Sequence, residues 1–568
     1  MSGTQVTLQG TLFGNNEPGF TFEPWDITTL YQDRAGTTPV TAAGQSVGLR
    51  LSKDQGLRLG PELVTNGSNE AGVAVAPLDT LTNFTSKVQS ADRAQSGTYS
   101  AKLTANSTSG SHYWNLTSVA AGVTVQISGW VYVPTGATAG QSIKLVDIFD
   151  GSFVPVIATT FDQWVYFSAI RPAKASAWAL ALGQDTAANW AGGSIYVDGL
   201  SIKTLAGNHE VAVSDAKRGV YGWMPKTGRR NLLTYTEQFD NAAWSKELSS
   251  VTANFADAPD GTISADRFVS AGGSFPQIFQ AATLSAGATY TFSIWVKSDG
   301  TSQIAQILIL DGAATSFTPN STWTRVSVTK TGTSGGLKAA VVATNSSTAP
   351  PSSFLVWGAQ LEPGSTATAY QRVVSQYDIT EAGVPTCYYV QADGVDDAYV
   401  TPTITPNTDK VQVFAGVRKL SDAATGVIIE HSATLNSNNG SFFLLAPNAN
   451  ASTSSVFSSK GSLPAFGSGA VADLTAAPIS KLVSGLGDIS ADTSTIRVNG
   501  TQVAQSTSDQ GTGNFLAYPA YIYSRAGTSL PFNGLDFGHA VRFGPNLDAA
   551  TIARVEALIA RNTPEVTL

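Results

Sequence analysis

Short stretches of alternating apolar and polar residues cover most of the chain. Residues 123–133 and 290–297 both alternate and are rich in β-branched and aromatic side chains, which is the pattern of half-buried antiparallel strands. Gly, Asn, Asp, Ser and Pro separate such stretches. Apolar residues at helical spacing occur mainly near the C-terminus, at Ile552, Val555, Leu558 and Ile559. The pattern predicts an all-β protein with a short C-terminal helix.

Two segments of the chain repeat one another. Trp130 corresponds to Trp295 and Trp164 to Trp323, and the offset drifts only from 165 to 159 residues. Differing loop lengths would produce such a drift between two copies of one module. The repeat predicts tandem antiparallel β-sandwich modules of the jelly-roll type over residues 62–205 and 231–372. Because the four tryptophans lie in alternating strands at equivalent positions, we expect them to be core residues, with Trp130 overlying Trp295.

Three further regions complete the predicted organisation. Residues 1–61 form an N-terminal attachment and oligomerisation region, residues 206–230 a glycine-rich basic linker, and residues 373–568 a third β-sandwich that ends in the helix. In the third region, Asn499-Gly500 between alternating apolar residues is a strong hairpin signal. The N-terminal region has more large apolar side chains than so short a segment can bury alone. We therefore expect other subunits to cover Phe13, Phe20, Phe22, Trp25, Leu30 and Tyr31.

The charge distribution excludes some partners. Charged residues make up 13% of the chain, about half the usual share, and the net charge is −8 without a basic stripe. Non-specific nucleic-acid binding requires clustered Lys and Arg, so we expect none. No apolar stretch reaches the ~20 residues that cross a bilayer, so no membrane insertion is expected. The segment Met1-Ser-Gly-Thr-Gln5 does not resemble a secretion signal, and we expect synthesis in a cytoplasm with release by lysis.

The residues that usually carry catalysis do not form a recognisable motif. The four histidines, His112, His209, His431 and His539, lack metal-binding spacing, and there is no nucleophile elbow or phosphate-binding loop. A glycan hydrolase would need a pair of carboxylates across the sugar. The single cysteine, Cys387, is interpreted as a small buried residue. The sequence therefore predicts a protein that is not an enzyme.

One tight acidic cluster, Asp393, Asp396 and Asp397, leaves three alternatives open. A role in stabilising a turn is the main interpretation. Calcium binding is the second, because hard oxygen ligands suit this ion, although a site needs six to eight of them. Catalysis is the third. We expect no cofactor other than calcium at this cluster.

Aromatic side chains are the other candidate binding residues, because sugars stack their apolar faces on exposed rings. Trp114, Trp178 and Trp190 have no counterpart in the second repeat, and Trp357 has none in the first. These four residues are the candidate carbohydrate-binding residues. The alternative is that they pack against neighbouring modules or chains, which tryptophan does equally well.

Several motifs resemble known families. Residues 230–244 (Arg-Asn-Leu-Leu-Thr-Tyr-Thr-Glu-Gln-Phe-Asp-Asn-Ala-Ala-Trp), 258–262 and 358–364 resemble the carbohydrate-binding-module-like jelly rolls of phage tail and fibre proteins. The opening at residues 393–397 and the Arg497-Val-Asn-Gly500 hairpin resemble a laminin-G or concanavalin-like sandwich. Residues 30–40 (Leu-Tyr-Gln-Asp-Arg-Ala-Gly-Thr-Thr-Pro-Val) are similar to openings of phage virion proteins.

These resemblances imply a structural component of a tailed-bacteriophage particle, such as a tail fibre, a receptor-binding protein or a capsid decoration. Its N-terminal region would dock to other virion proteins, the fibre type favours a homotrimer, and its sandwiches would contact host surface glycans weakly and multivalently. Two alternatives are a bacterial surface or secreted carbohydrate-binding protein and a glycan depolymerase.

Overall fold

The computed structural model describes residues 7–106, 110–135, 143–147, 153–155, 160–172, 178–187, 193–282, 284–300, 304–309, 313–331, 337–344, 351–433, 438–463 and 465–568. The chain forms two compact units. The first consists of Met1–Tyr221 with Tyr389–Leu568, and the second of Gly222–Tyr388. No helix in the described residues is long and apolar enough to cross a membrane.

The N-terminal part of the first unit has few regular elements. It contains helix α1 (Leu8–Leu12), a 3₁₀ turn (Ile27–Thr29) and strands β1–β4, which span Gly19–Phe22, Leu30–Tyr31, Leu49–Arg50 and Leu59–Glu62. The first module follows, with β5–β14 at Thr80–Thr82, Phe84–Ser90, Ser100–Ala105, Gly110–Val119, Thr124–Tyr132, Lys144–Asp147, Phe153–Pro155, Trp164–Arg171, Trp178–Ala187 and Ser194–Leu205. The chain then forms β15 (Glu210–Ala212) and β16 (Val220–Pro225).

The second module contains β17–β26, at Ser245–Glu247, Ser249–Asp257, Ile263–Ser270, Gln277–Ala282, Thr289–Ser298, Ala305–Ile309, Ala313–Phe317, Thr324–Thr331, Leu337–Thr344 and Ser352–Pro363. Strands β27–β40 span Gln371–Ser375, Asp378–Glu381, Thr386–Asp393, Tyr399–Val400, Lys410–Lys419, Val427–His431, Ser441–Leu445, Ser454–Lys460, Ala470–Asp473, Ile479–Asp488, Thr493–Val498, Thr501–Ser506, Ala520–Ile522 and Asn533–Phe543. Helix α2 (Ala549–Arg561) ends the fold, and the side chain of its N-cap residue Asp548 accepts a hydrogen bond from the Thr551 N–H.

The two modules have the same strand order. In the first, the sheets run β12-β9-β14-β7-β6 and β11-β10-β13-β8-β5, and in the second they run β24-β21-β26-β19-β18 and β23-β22-β25-β20-β17. Each strand of one module thus has an equivalent in the other, and β9 with Trp130 corresponds to β21 with Trp295. The predicted fold class, all-β with tandem antiparallel sandwiches and a short C-terminal helix, is confirmed.

The third sandwich of the chain lies in the first unit. One of its sheets includes the order β29-β40-β31-β36-β37-β38, with β1 also paired to β40, and the other runs β2-β3-β15-β30-β39-β32-β33-β34-β35. Helix α2 packs its Ile552, Val555 and Ile559 on the first sheet together with Leu8 and Leu12 of α1. The N-terminal strands and β15 are therefore built into this sandwich.

The expectation that other subunits cover the N-terminal apolar side chains is wrong. Phe13, Phe20, Phe22 and Leu30 are at most 2% exposed within the chain itself, and Trp25 and Tyr31 are half-buried. Strand β1 pairs with β40, more than 500 residues later, and places Phe22 opposite His539. The residues expected to form a linker likewise contribute β15 and β16.

A buried set of four charged residues and one tyrosine joins the N-terminal strands to this sandwich. We call Arg50, Glu210, Tyr523, Asp536 and His539 the Arg50 cluster. The Arg50 guanidinium pairs with Glu210 and donates to the Tyr523 hydroxyl at 2.8 Å, and the ring nitrogens of His539 lie 2.8 Å from Glu210 Oε1 and 2.7 Å from Asp536 Oδ2. Burial opposes a charge on His539, but the two carboxylates outweigh it and raise the pKa of His539 to about 9. Two positive groups thus balance two negative ones, which buried charges require.

Candidate ligand-binding face

Trp114, a predicted sugar-binding residue, lies in the core of the first module. It is 0% exposed and packs among the apolar residues between the two sheets. Its indole N–H donates to Asp79 Oδ1 at 2.8 Å, and the Lys87 ammonium, which pairs with the same carboxylate, lies 4.5 Å from the ring centroid. The prediction that Trp114 contacts a ligand is therefore wrong, because its ring is buried. The hydrogen-bond acceptor that a buried indole N–H needs comes from the module itself.

Trp357 is also buried, at 5% exposed. Its indole N–H donates to Ser264 Oγ at 3.0 Å, and its ring centroid lies 4.9 Å from that of Tyr370. The prediction that Trp357 offers a sugar platform is therefore wrong as well. Trp178 belongs to β13, but its side chain lies outside the described residues, as does all of Trp190.

The tryptophans that were expected in the core lie instead on the outer faces of their sheets. Side chains alternate along β9, so Ile127 and Val131 enter the core of the first module, whereas Trp130 and Tyr132 point to the opposite face. Trp130 and Trp295 are half-buried, as are Trp164 and Trp323. The expectation that they are core residues is wrong, because alternation shows which residues share a face but not which face is covered.

A glycine bulge holds each of the two equivalent tryptophans. Gly199 and Gly358 lie at irregularities of the β14–β9 and β26–β21 pairings and have φ values of +58° and +64°, where a side chain would be strained. A Cβ atom at Gly199 would lie 3.4 Å from Trp130 Cδ1, and one at Gly358 would lie 3.2 Å from Trp295 Cδ1. The same backbone feature thus seats Trp130 and Trp295 at equivalent positions.

Five rings of the first module form what we call the outer aromatic face: Trp130, Tyr132, Trp164, Tyr166 and Tyr196. On neighbouring strands, Tyr166 lies opposite Trp130, and both Trp164 and Tyr196 lie opposite Tyr132. Ring centroids are 5.1 Å apart for Trp130 and Tyr166, and 5.7 Å apart for Tyr132 and Trp164. Tyr166 is 53% exposed and Trp130 and Trp164 are half-buried, whereas Tyr132 and Tyr196 are only 6% exposed. The face therefore presents mainly Tyr166, Trp130 and Trp164 to solvent.

Charged side chains border this face. The Arg93 guanidinium lies 4.3 Å from the Tyr132 ring centroid, and Lys102 pairs with Asp92 at 2.7 Å. Hydrogen bonds from Thr135 and from Tyr132 lower the pKa of Asp162. The face therefore combines aromatic rings with hydrogen-bonding groups, the combination that shallow recognition of polyhydroxylated molecules requires.

In the second module the chain itself covers part of the equivalent face. Carbonyl oxygens of residues 364–369 accept hydrogen bonds from Thr291 Oγ1 at 2.9 Å, Arg325 Nη1 at 2.6 Å and Gln360 Nε2 at 3.2 Å. All three donors lie on the same side of the sheet as Trp295. The first module is thus the better candidate for ligand binding.

The Arg50 cluster places an imidazole between two carboxylates, an arrangement that can transfer protons. Its members are at most 1% exposed, and they line neither of two cavities that lie among the described residues. The larger cavity, a polar cleft of about 470 Å³, is lined by groups such as Glu17, Arg58 and Asn208. Sequence reasoning missed the cluster, because Glu210 lies 160 residues from Arg50 and 329 residues from His539 along the chain.

Two further observations bear on catalysis and metal binding. Burial raises the pKa of the Cys387 thiol to about 11, so the thiolate that a nucleophile requires is disfavoured. The carboxylates of Asp393, Asp396 and Asp397 converge within 4.8 Å. Asp397 Oδ2 accepts from the Asp393 N–H at 2.9 Å, and Asp393 Oδ1 accepts from the Val395 N–H at 2.7 Å. These bonds favour the turn-stabilising interpretation of the cluster.

The acidic cluster predicts a pH dependence of stability. Burial, together with the charges of Asp393 and Asp396, raises the pKa of Asp397 to about 6. This pKa lies above that of Asp397 in the unfolded chain, so protonated Asp397 adds to the free energy of unfolding. This stabilisation is fully present below about pH 4 and is lost as the pH rises to about 6. Asp397→Asn, which cannot ionise, should remove this part of the dependence when the melting temperature of the first unit is followed across that range.

Asp215→Asn, at an exposed carboxylate of the same unit, serves as the control and should leave the pH profile unchanged. Addition of calcium distinguishes calcium binding from the turn-stabilising role. If the three carboxylates bound calcium with further oxygen ligands, millimolar calcium would raise the melting temperature of the wild type but not that of Asp397→Asn. The turn-stabilising role predicts no effect of calcium in either protein.

The chain was compared with known proteins. No protein-family model and no curated protein matches it. Among solved structures it is similar to the tandem CBM22 domain of Paenibacillus barcinonensis Xyn10C, with 14% identity over 54% of this chain and 98% of that one, at a TM-score of 0.26. It is also similar to the Ruminococcus gnavus IT-sialidase CBM40 bound to α2,3-sialyllactose (15% identity, 26% and 83% coverage, TM-score 0.22). Mouse laminin α1 domains LG4-5 match with 10% identity, 56% and 91% coverage and a TM-score of 0.20. Similarities at this level carry no information on function.

Proposed function

We propose that this chain is a non-catalytic glycan-contacting protein and that its first module binds sugars through the outer aromatic face. One observation carries the proposal: Tyr166 is 53% exposed and lies against Trp130, beside a second ring pair formed by Trp164 and Tyr132. The apolar face of a sugar ring stacks on such rings, while neighbouring polar groups bind its hydroxyls. Because the face is a sheet surface rather than an enclosed pocket, each contact is weak.

We propose further that the protein works as a structural component of a bacteriophage particle. This part rests on the resemblance of residues 30–40 and 230–244 to phage proteins, and the same resemblance favours a trimer. Several copies per particle would raise avidity by about 10² to 10⁴ without a strong single contact. Immunogold labelling of intact particles tests this placement. Label on the surface of uninfected bacteria, with none on particles, would contradict it.

The sugar-binding part predicts the effect of removing exposed rings. Tyr166→Ala and Trp130→Ala are each expected to weaken binding of the full chain to host surface polysaccharide by about two- to tenfold, because an aromatic contact contributes about 0.5–1.5 kcal/mol. Phe275→Ala, which removes a 50% exposed ring from the second unit, is the matched control and should bind normally. Isothermal titration calorimetry measures the affinity of all three variants.

Unchanged binding by Tyr166→Ala and Trp130→Ala would contradict the assignment of the face. A reducing-sugar assay on the same polysaccharide addresses catalysis. We expect no release of reducing ends, and release that persists in the purified full chain would instead identify a depolymerase.

A further inference from the structure

The side chain of Arg93 has hydrogen-bonding capacity that the protein does not use. Arg93 is exposed on the loop between β6 and β7, and its guanidinium lies 4.3 Å from the Tyr132 ring centroid and 6.0 Å from that of Tyr196. In the part of the chain that the structure describes, this guanidinium has no hydrogen-bond or ion-pair partner. Its N–H donors are therefore available to a ligand.

The carboxylates around this face, in contrast, already have partners. Asp92 pairs with Lys102 at 2.7 Å. Asp162 accepts from the Thr135 N–H at 3.0 Å and from the Tyr132 hydroxyl at 3.3 Å. Asp198 is buried and accepts from three backbone N–H groups, those of Gln95, Ser96 and Gly199. Among these charged groups, the N–H donors of Arg93 are thus the ones without a hydrogen-bond partner. A ligand that binds them must offer a hydrogen-bond acceptor.

We propose that Arg93 makes the outer aromatic face selective for acidic sugars, whose carboxylate it binds through two parallel N–H···O bonds. The inference rests on the proposed sugar-binding function of this face. A guanidinium is planar and matches a carboxylate in this bidentate geometry. Contact with the Tyr132 ring restricts the guanidinium and leaves its edge free to donate.

The spacing of the face suits this arrangement. Tyr132, beneath Arg93, lies opposite Trp164 on the neighbouring strand and two residues from Trp130 along β9. Adjacent strands are about 4.8 Å apart, and alternate residues of a strand are about 7 Å apart. A sugar whose carboxylate meets Arg93 can therefore place its own ring, or the next one, on Trp164 or on the Trp130–Tyr166 pair.

The second module does not offer the same group. Its Arg325 lies opposite Trp295 and donates to Thr368 O at 2.6 Å and to Ser293 Oγ at 2.9 Å. These bonds commit the guanidinium to the chain that covers this face. Of these two guanidinium groups, that of Arg93 thus has the donors open to an acidic sugar.

Titration of the full chain with matched pairs of oligosaccharides tests the proposal. One arm compares oligogalacturonate with the same oligomer after reduction of its carboxyl groups, and the other compares a sialyl trisaccharide with lactose, so that uronic and sialic acids are distinguished. We expect the acidic member of at least one pair to bind about tenfold more tightly, as charge-assisted hydrogen bonds allow. This advantage should fall as salt is added.

Variants separate the role of Arg93 from that of the rings. Arg93→Gln should remove the preference by weakening binding of the acidic member about tenfold more than binding of the neutral member, and Arg93→Lys should retain only part of the preference because it lacks the planar fork. Arg554→Gln, which removes an equal charge from an exposed position of the same chain, should behave as the wild type.

Each contrary result has its own meaning. Equal binding of acidic and neutral members, with both lost in Tyr166→Ala, would overturn the selectivity and leave the proposed function intact. Equal weakening of both members by Arg93→Gln would also overturn it, since Arg93 would then be a general hydroxyl donor. Absence of binding by any oligosaccharide and by the host polysaccharide would overturn the proposed function and the selectivity together.

Discussion

Arg50→Met is expected to lower the free energy of unfolding of the first unit by about 3–5 kcal/mol, because removing one partner of a buried ion pair leaves an uncompensated charge. Arg50 is 1% exposed and lies between Glu210 and Asp536. Without it, the two carboxylates face only the single positive charge of His539. Methionine keeps part of the contact with the Tyr399 ring, which lies 3.7 Å from the guanidinium carbon, so the loss reports mainly on charge. Urea denaturation measures it.

Two companion variants make this result specific. Arg50→Met combined with Glu210→Gln restores a neutral cluster and should recover part of the lost stability. Arg554→Met replaces an exposed arginine on α2 and should change the free energy of unfolding by no more than about 0.5 kcal/mol. If Arg50→Met were as stable as the wild type, the N-terminal strands would not depend on the Arg50 cluster.

Trp114→Ala is expected to cost about 3–5 kcal/mol of the stability of the first unit, the range for large aromatic residues lost from a core. The substitution removes a 0% exposed ring from between the two sheets and deprives Asp79 of one of its donors. Trp114→Phe, which keeps much of the apolar volume, should cost less. Thermal or urea unfolding followed by circular dichroism measures the difference.

Tyr166→Ala is the matched control for Trp114→Ala. It removes an aromatic ring of the same module that is 53% exposed, and its effect on stability should be small. Of the two variants, Tyr166→Ala should weaken sugar binding and a folded Trp114→Ala protein should bind normally, because only Tyr166 lies on the outer aromatic face. A folded Trp114→Ala protein that has normal stability and no longer binds sugar would revive Trp114 as a ligand-binding residue.

The candidate site was predictable only in part. The sequence repeat correctly placed Trp130 and Trp295 at equivalent positions, and the expectation that aromatic residues bind a ligand stays a prediction. Which rings are open to solvent was predicted wrongly. Trp130 and Val131 are consecutive apolar residues of one strand. The sequence pattern does not show that Val131 lies in the core and Trp130 outside it. Trp114 has no counterpart in the second repeat and was therefore expected to contact a ligand. Its indole N–H instead donates to Asp79, and its ring contacts the Lys87 ammonium, both within the module.

The sequence by itself determined the class of fold and the repeat. Alternation, turn residues and helical spacing are local properties, and each strand or helix follows from a few neighbouring residues. Similar local patterns in the two repeats were therefore sufficient to reveal two modules whose strand orders are the same.

Only the tertiary structure decided which faces are buried and which distant residues meet. Phe20 and Phe22 are covered because β1 pairs with β40, and Glu210 meets His539 because β15 and β40 belong to opposing sheets of one sandwich. Such contacts depend on how sheets stack, which the spacing of residues along the chain does not encode. Arg93 is the same kind of case: a loop arginine becomes a candidate binding group because folding lays it against Tyr132 and Tyr196 and gives the nearby carboxylates other partners.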